Sequence, residues 1–169
     1  MQIAPFTRLV FSILLALLSF EKLNAQQVKI GGALGALGVQ SSTNSSSIGF
    51  GPYFTVVPYE NLGFMVDATF ADLNSGTYFS TSPSLVGFLA SPEELKLGIF
   101  GGGGFYKLGS NPLNFGLNIG ALGDFMLAPN FFVGAQVKFH RLFDTGPDPT
   151  VWNVFLTLSY AFETQDGGW

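Results

Sequence analysis

The sequence predicts an all-β protein, an eight-stranded antiparallel up-and-down barrel that spans a membrane and has a filled lumen. Three observations carry this. Apolar side chains alternate with small or polar ones along most of the chain, only 11% of residues are charged, and there is no cysteine. A water-facing globule carries charge on about a quarter of its residues, so something other than water covers much of this surface. Without cysteine there is no disulfide framework and no thiolate metal site. An exported chain of this kind is stabilised by its core or by a membrane.

Residues 1–25 read as a signal peptide. Arg8 supplies the basic start, LVFSILLALLSF (9–20) is an apolar core too short to span a bilayer as a helix, and EKLNA leads to a cut after Ala25. Setting aside Arg8, Glu21 and Lys22 leaves 5 basic and 10 acidic residues from position 26 onward. That balance excludes nucleic acid as a partner, because its phosphates need clustered lysine and arginine.

Beyond residue 25, glycines interrupt every helical spacing, and a period of two fits instead. The predicted strands are 28–40, 47–57, 62–72, 84–90, 95–107, 113–127, 131–143 and 150–162, so that residues 26–162 form the barrel and 163–169 a short tail. Within the second, Pro52 is expected to mark a bulge or a later strand start. The stretch TYFSTSP before the fourth fits either strand or loop and is counted with the connection. In the fifth, LGIFGGGGFYK keeps Leu97, Ile99 and Phe105 on one parity straight through its four consecutive glycines, which places Gly102 and Gly104 inward. A phosphate cradle would need G-x-x-x-x-G-K-[ST], and Lys107 here follows Tyr106 and precedes Leu108. VKIGGALGALG likewise lacks the G-x-G-x-x-G of a dinucleotide site.

The last three strands show the alternation best. Phe115, Leu117, Ile119, Ala121 and Phe125 oppose Asn114, Gly116, Asn118, Gly120 and Asp124, while Phe131, Val133, Ala135, Val137 and Phe139 oppose Gly134, Gln136, Lys138 and His140. In the eighth, Trp152, Val154, Leu156, Leu158, Tyr160 and Phe162 oppose Asn153, Phe155, Thr157, Ser159 and Ala161. Tight connections (PYEN, SPEE, APN) alternate with SSTNSS, the long LNSGTYFSTSP, LGSNP and DTGPDP. Short turns at one end and generally longer loops at the other are the pattern of an outer-membrane barrel.

Composition then fixes which face is outside. A water-facing second face would be rich in Lys and Glu, yet this one is mostly Gly, Ser, Thr, Asn and Ala. It fits a narrow lumen, where small residues make room for Tyr53, Met65, Phe100, Tyr106 and Phe155. The strand-internal charges Lys29, Asp67, Lys96, Asp124 and Lys138 all fall in this inward register, as a lumen polar network. A lysine facing lipid at the midplane would cost roughly 2–4 kcal/mol. His140, the sole histidine, is expected to be an inward polar residue hydrogen-bonded toward Asn118, and alone it excludes a multi-histidine metal site. Phe131, Tyr160 and Phe162 toward the turns, and Trp152 and Phe139 toward the loops, fit interfacial girdles.

KIGGALGALGVQ, LGIFGGGGFYK, FGLNIGALGDFMLAPNFFVGAQVKFH and VFLTLSYAF resemble the small eight-stranded outer-membrane barrels typified by outer-membrane proteins A and X. The resemblance covers nearly all of the chain after residue 25. It implies a place in the cell outer membrane with both mature termini periplasmic, contact with outer-membrane lipid and lipopolysaccharide, and insertion by the barrel-assembly machinery, which would read the closing strand. ETQDGGW continues beyond that signal, and no peptidoglycan-binding domain follows as in outer-membrane protein A. Some similar barrels are lipid-A deacylases with a His-x-Ser motif, but Leu142 stands where the serine would be. The expected protein is therefore non-enzymatic, without cofactor or metal, with a structural or surface-loop role and no named surface partner. The alternatives are a narrow channel or transporter for small or apolar solutes, and a soluble exported barrel binding a small apolar ligand.

Overall fold

The computed structural model describes residues 27–40, 44–59, 61–74, 76–89, 94–143 and 149–163. The signal-peptide reading of 1–25 and all but the first residue of the 163–169 tail lie outside them. Eight strands follow in order: β1 (Gln27–Gln40), β2 (Ser45–Tyr59), β3 (Leu62–Leu73), β4 (Gly76–Phe88), β5 (Leu95–Leu108), β6 (Asn114–Ala128), β7 (Phe131–Phe143) and β8 (Thr150–Glu163). Each pairs antiparallel with its sequence neighbours, and β8 returns to β1, from Gln27 opposite Glu163 to Gln40 opposite Thr150, so the sheet closes. Closure leaves no strand edge. The shortest strand has 12 residues and the longest 15, enough to cross a bilayer when tilted.

Seven strands match their predicted ranges to within a residue or two. β4 is the exception, beginning at Gly76 rather than Ser84. TYFSTSP belongs to the wall: Tyr78, Ser80, Ser82 and Ser84 point inward, alternating with Phe79, Thr81, Pro83 and Leu85. Leu73 pairs with Gly76 across a tight hairpin whose glycine takes φ 115°, a conformation closed to most side chains. The long loop expected there is therefore absent, and connection lengths do not alternate as the sequence suggested. One end of the barrel has 41–44, 74–75, 109–113 and 144–149, while the other has 60–61, 89–94, 129–130 and both chain ends of the barrel.

The prolines explain the misreading of both β2 and β4. Pairing of β2 with β3 steps over Gly51 and Pro52 but keeps one register on either side, from Phe50 opposite Phe70 to Tyr53 opposite Asp67. Pairing of β4 with β5 likewise steps over Ser82 and Pro83, between Thr81 opposite Phe105 and Ser84 opposite Gly102. A missing N–H removes a rung and does not shift the ladder. No bulge forms at Pro52; the irregularities lie between Val56 and Tyr59 and between Met126 and Ala128, next to the turns at 60–61 and 129–130.

The core is the lumen, and it is packed large against small across the strands. The Tyr53 ring covers Gly31, Phe155 covers Gly35 and Gly49, Phe100 covers Gly120, and Tyr106 covers Gly116. The four-glycine run stays in strand, paired with β6 from Gly101 opposite Ile119 to Gly104 opposite Gly116. Outside, the large apolar residues face away from the core: Leu156 is 72% exposed, Ile48 70% and Ile119 68%.

Glycine is thus required where a ring lies on it and dispensable where nothing does. A Cβ at Gly120 would sit within the Phe100 ring and one at Gly102 against Pro83 and Ser84, whereas Gly32 has no atom within 4 Å of that position. Gly120→Val and Gly102→Leu should lose the compact, heat-modifiable band on gels after refolding, the overpacking costing about 1–3 kcal/mol or more. Gly32→Ala should fold like the parent. Normal folding of both bulky variants would show that these glycines do not set the lumen's capacity.

Candidate functional site

The candidate site is the lumen, since it gathers most of the buried polar chemistry. Nearest the turn end, Lys96 Nζ on β5 donates to Gln27 Oε1 on β1 at 3.1 Å. In an eight-strand ring these strands face each other. Next, Lys29 Nζ on β1 meets Asp124 Oδ2 on β6 at 2.9 Å and lies 3.9 Å from the centre of the Phe132 ring. Midway, Lys138 on β7 is ion-paired with Asp67 on β3, the opposite wall. Ser82 joins them, donating to Asp67 Oδ2 at 3.0 Å and accepting from Lys138 Nζ at 3.0 Å. Each of the four buried charges is paired, and both lysines also meet a ring, as an interior of low dielectric demands.

Toward the loop end, His140 points inward as expected, and it bonds to residues near Asn118 rather than to Asn118 itself. Asn118 is its neighbour in register on β6, but its Oδ1 accepts from Ser84 Oγ at 2.9 Å. The imidazole lies between Tyr106 Oη, 3.0 Å from Nδ1, and Asn153 Oδ1, 3.3 Å from Nε2. With the amide oxygen facing Nε2, that nitrogen carries the proton and donates, leaving Nδ1 to accept from the tyrosine hydroxyl. Strand tilt explains the Tyr106 contact, because it brings residues of non-adjacent strands to one level of the lumen, while Asn153 is a diagonal neighbour on the adjacent β8. Beyond this trio the interior turns apolar: Leu37, Val39, Leu73, Tyr78, Leu142 and Val151 close the loop end.

Little space remains. A cavity of about 10 Å³ is lined by Lys29, Tyr53, Asp124, Gln136 and Thr157 among others, room for about one water at most. Among the described residues no three His, Cys, Asp or Glu side chains come together to hold a metal.

The girdle residues lie on the outer surface. Phe131, Tyr160 and Phe162 form a contiguous edge-to-face row at the turn end, with centroids 5.0 and 4.8 Å apart, and Phe139 stands opposite Trp152 nearer the loops. Two further rows lie at the loop end, Phe50–Phe70–Phe79 and Phe105–Phe115–Phe143. Sequence reasoning missed the first row and Ser82. Carrying the parity of Ser84 back through Pro83 would have found Phe79 outward and Ser82 inward.

No family model and no curated protein matches the chain. Solved structures do. Neisserial surface protein A superposes with a TM-score of 0.66 at 14% identity, covering 80% of this chain and 96% of that one. Ail, the attachment invasion locus protein of Yersinia pestis, gives 0.59 at 15% identity over 82% and 99%. The outer-membrane enzyme PagL gives 0.50 at 17% identity over 78% and 98%. The chain has the fold of the small eight-stranded outer-membrane barrels. At such identities the likeness is one of fold.

The central ion pair offers a direct test of how the lumen is held together. Lys138→Met leaves the Asp67 carboxylate buried without its cation and should cost about 3–5 kcal/mol. Lys138→Met combined with Asp67→Asn should recover a large part of that loss. Urea unfolding of the barrel in lipid vesicles measures both, and additive losses would mean that the two side chains are not coupled.

Proposed function

We propose that the protein is an integral outer-membrane barrel without catalytic activity, whose packed wall anchors it in the envelope with both mature termini periplasmic. One observation carries the reading. Among the described residues the outward face is an apolar belt that carries charge only near the strand ends, wrapped around an interior with two buried ion pairs. A soluble barrel has the opposite polarity, so a soluble carrier of apolar ligands does not fit. In lipid the closed ladder also satisfies every strand, as a membrane span requires.

The filled lumen weighs against a channel. Among the described residues, the apolar plug at the loop end, Phe100 and Phe155 in the middle, and the cross-lumen ion pairs fill the space that a solute would have to cross. Catalysis on lipid is disfavoured by the position of His140, which is 1% exposed and points into the lumen, away from any acyl chain outside. Leu142, two residues on, is fully buried in the plug. Connections of two to six residues support an envelope role over that of an adhesin, which would need larger surface features.

Detergent extraction from the outer-membrane fraction, with a heat-modifiable shift on gels, is the expected result; recovery from the aqueous periplasm would overturn the proposal. In planar bilayers the protein should give no steady, large conductance. A stable open level would replace the anchoring role with transport.

A further inference from the structure

Missing rungs fall on both sides of one hairpin. Among the described residues, six of the eight ladders run unbroken except beside a turn, and the two interrupted in mid-strand are β2–β3 and β4–β5. By count from the flanking pairs, Pro52 stands opposite Ala68 and Pro83 opposite Gly103, and neither proline has an N–H to give. The β3–β4 hairpin between the two seams is continuous within itself, from Leu62 opposite Gly87 to Leu73 opposite Gly76.

On the loop side of these breaks the two seams differ. Toward β5 the hairpin keeps the run from Thr81 opposite Phe105 to Tyr78 opposite Leu108, and Gly109 N donates to Thr77 O at 2.9 Å. Toward β2 it keeps only Phe50 opposite Phe70 and Gly49 opposite Ala71, although residues 45–48 continue in register with β1. Inside this seam β2 offers Gly49 and Gly51, which have no side chain to lay against Thr69 and Ala71. Outside it, Phe50 meets Phe70 with centroids 6.0 Å apart, a contact that acyl chains replace at little cost because they are as apolar as the rings. On the turn side the situation reverses. Tyr53 opposite Asp67 is the first pair below the break, Asp67 stands opposite Ser82, and both meet Lys138 from the facing wall.

We infer that the loop-side part of the β3–β4 hairpin, residues 68–81, is a flap that parts from β2 ahead of the rest of the wall. Its hinge is the β5 side, and the Asp67–Ser82–Lys138 cluster is the latch that stops the opening at the level of the prolines. The cost of local opening is set by the rungs and packed side chains that must be given up, so a closed sheet yields where these are fewest. Parting residues 68–81 from β2 gives up the pairs at Phe50 and Gly49 and one ring contact. Going further would break the run from Tyr53 opposite Asp67 to Val56 opposite Phe64 and draw Asp67 away from Lys138, stranding two buried charges. The wall is thus a rigid ring on the turn side and a hinged panel on the loop side, with the ion pair at the boundary.

The test is amide hydrogen exchange, followed residue by residue by NMR on the refolded barrel in lipid nanodiscs. Phe50 and Phe70 should exchange roughly two- to tenfold faster than Phe139 and Trp152, which stand opposite each other near the loop-side ends of β7 and β8, since one net backbone hydrogen bond is worth about that factor. Pro52→Ala supplies the missing N–H and should remove most of the difference. Equal rates in the parent overturn the inference, and so does a difference that Pro52→Ala leaves unchanged. The latch is read in Lys138→Met combined with Asp67→Asn, which removes the ion pair without stranding a buried charge. Fast exchange should then reach Phe54 and Val66, a pair on the turn side of the break, and exchange that still stops at Pro52 would overturn the latch. Each outcome is read in a folded, inserted barrel, shown by its heat-modifiable shift, and leaves the anchoring role standing.

Discussion

Closing eight strands into a ring is the constraint on which the rest of this structure depends. Closure pairs every strand on both sides, which is what allows a backbone to sit in hydrocarbon, but it also fixes the interior at a width that side chains fill. Nothing inside can then be chosen independently. Each inward ring needs a glycine facing it, as Tyr53 has Gly31 and Phe100 has Gly120. A fully buried inward charge needs a counterion across the lumen, because burial there strips it of solvent. Lys138 and Asp67 stand on opposite walls, and Lys29 and Asp124 stand three strands apart around the ring.

The same constraint inverts the usual sorting of residues. In a soluble domain the large aliphatic side chains occupy the centre, but here the centre belongs to Tyr, Ser, Thr, Asn and paired ions, and Leu156, Ile48 and Ile119 face outward. The inversion is incomplete. The loop end of the lumen is itself apolar, with Leu37, Leu142 and Val151 fully buried, while the polar network occupies the middle and the turn end. The interior is thus apolar where it faces the loops and polar where it faces the turns, so the plug and the ion pairs fill the lumen at different levels by different physics.

The wall was largely legible in the sequence because a period of two is local: each residue's face follows from its parity, and parity survives small errors in strand ends. β4 was not, since Pro83 and a run of Ser and Thr look like a loop when small polar residues are read as solvent-facing. In a lumen they are interior residues, and a proline whose missing N–H costs one rung is tolerated in the wall. Partners within the lumen were less legible still. That Lys29, Asp67, Asp124 and Lys138 point inward follows from parity, but which lysine meets which aspartate depends on the shear of the whole barrel. His140 shows the same limit, since its register neighbour is Asn118 but its hydrogen-bond partners come from β5 and β8.

Where the chain can be specific follows from what remains. The cavity beside Lys29, Tyr53, Asp124 and Thr157 has room for about one water molecule, and the connections between strands run to only two to six residues. The midplane of the outer wall meets acyl chains, which offer nothing to recognise beyond length. Only the rims are left, where strand ends carry charged and aromatic side chains together. At the turn end the described outward surface is aromatic, with Phe131, Tyr160 and Phe162 in one row. At the loop end aromatic rows are joined by Lys107 and Arg141 on one wall and by Asp72 on another.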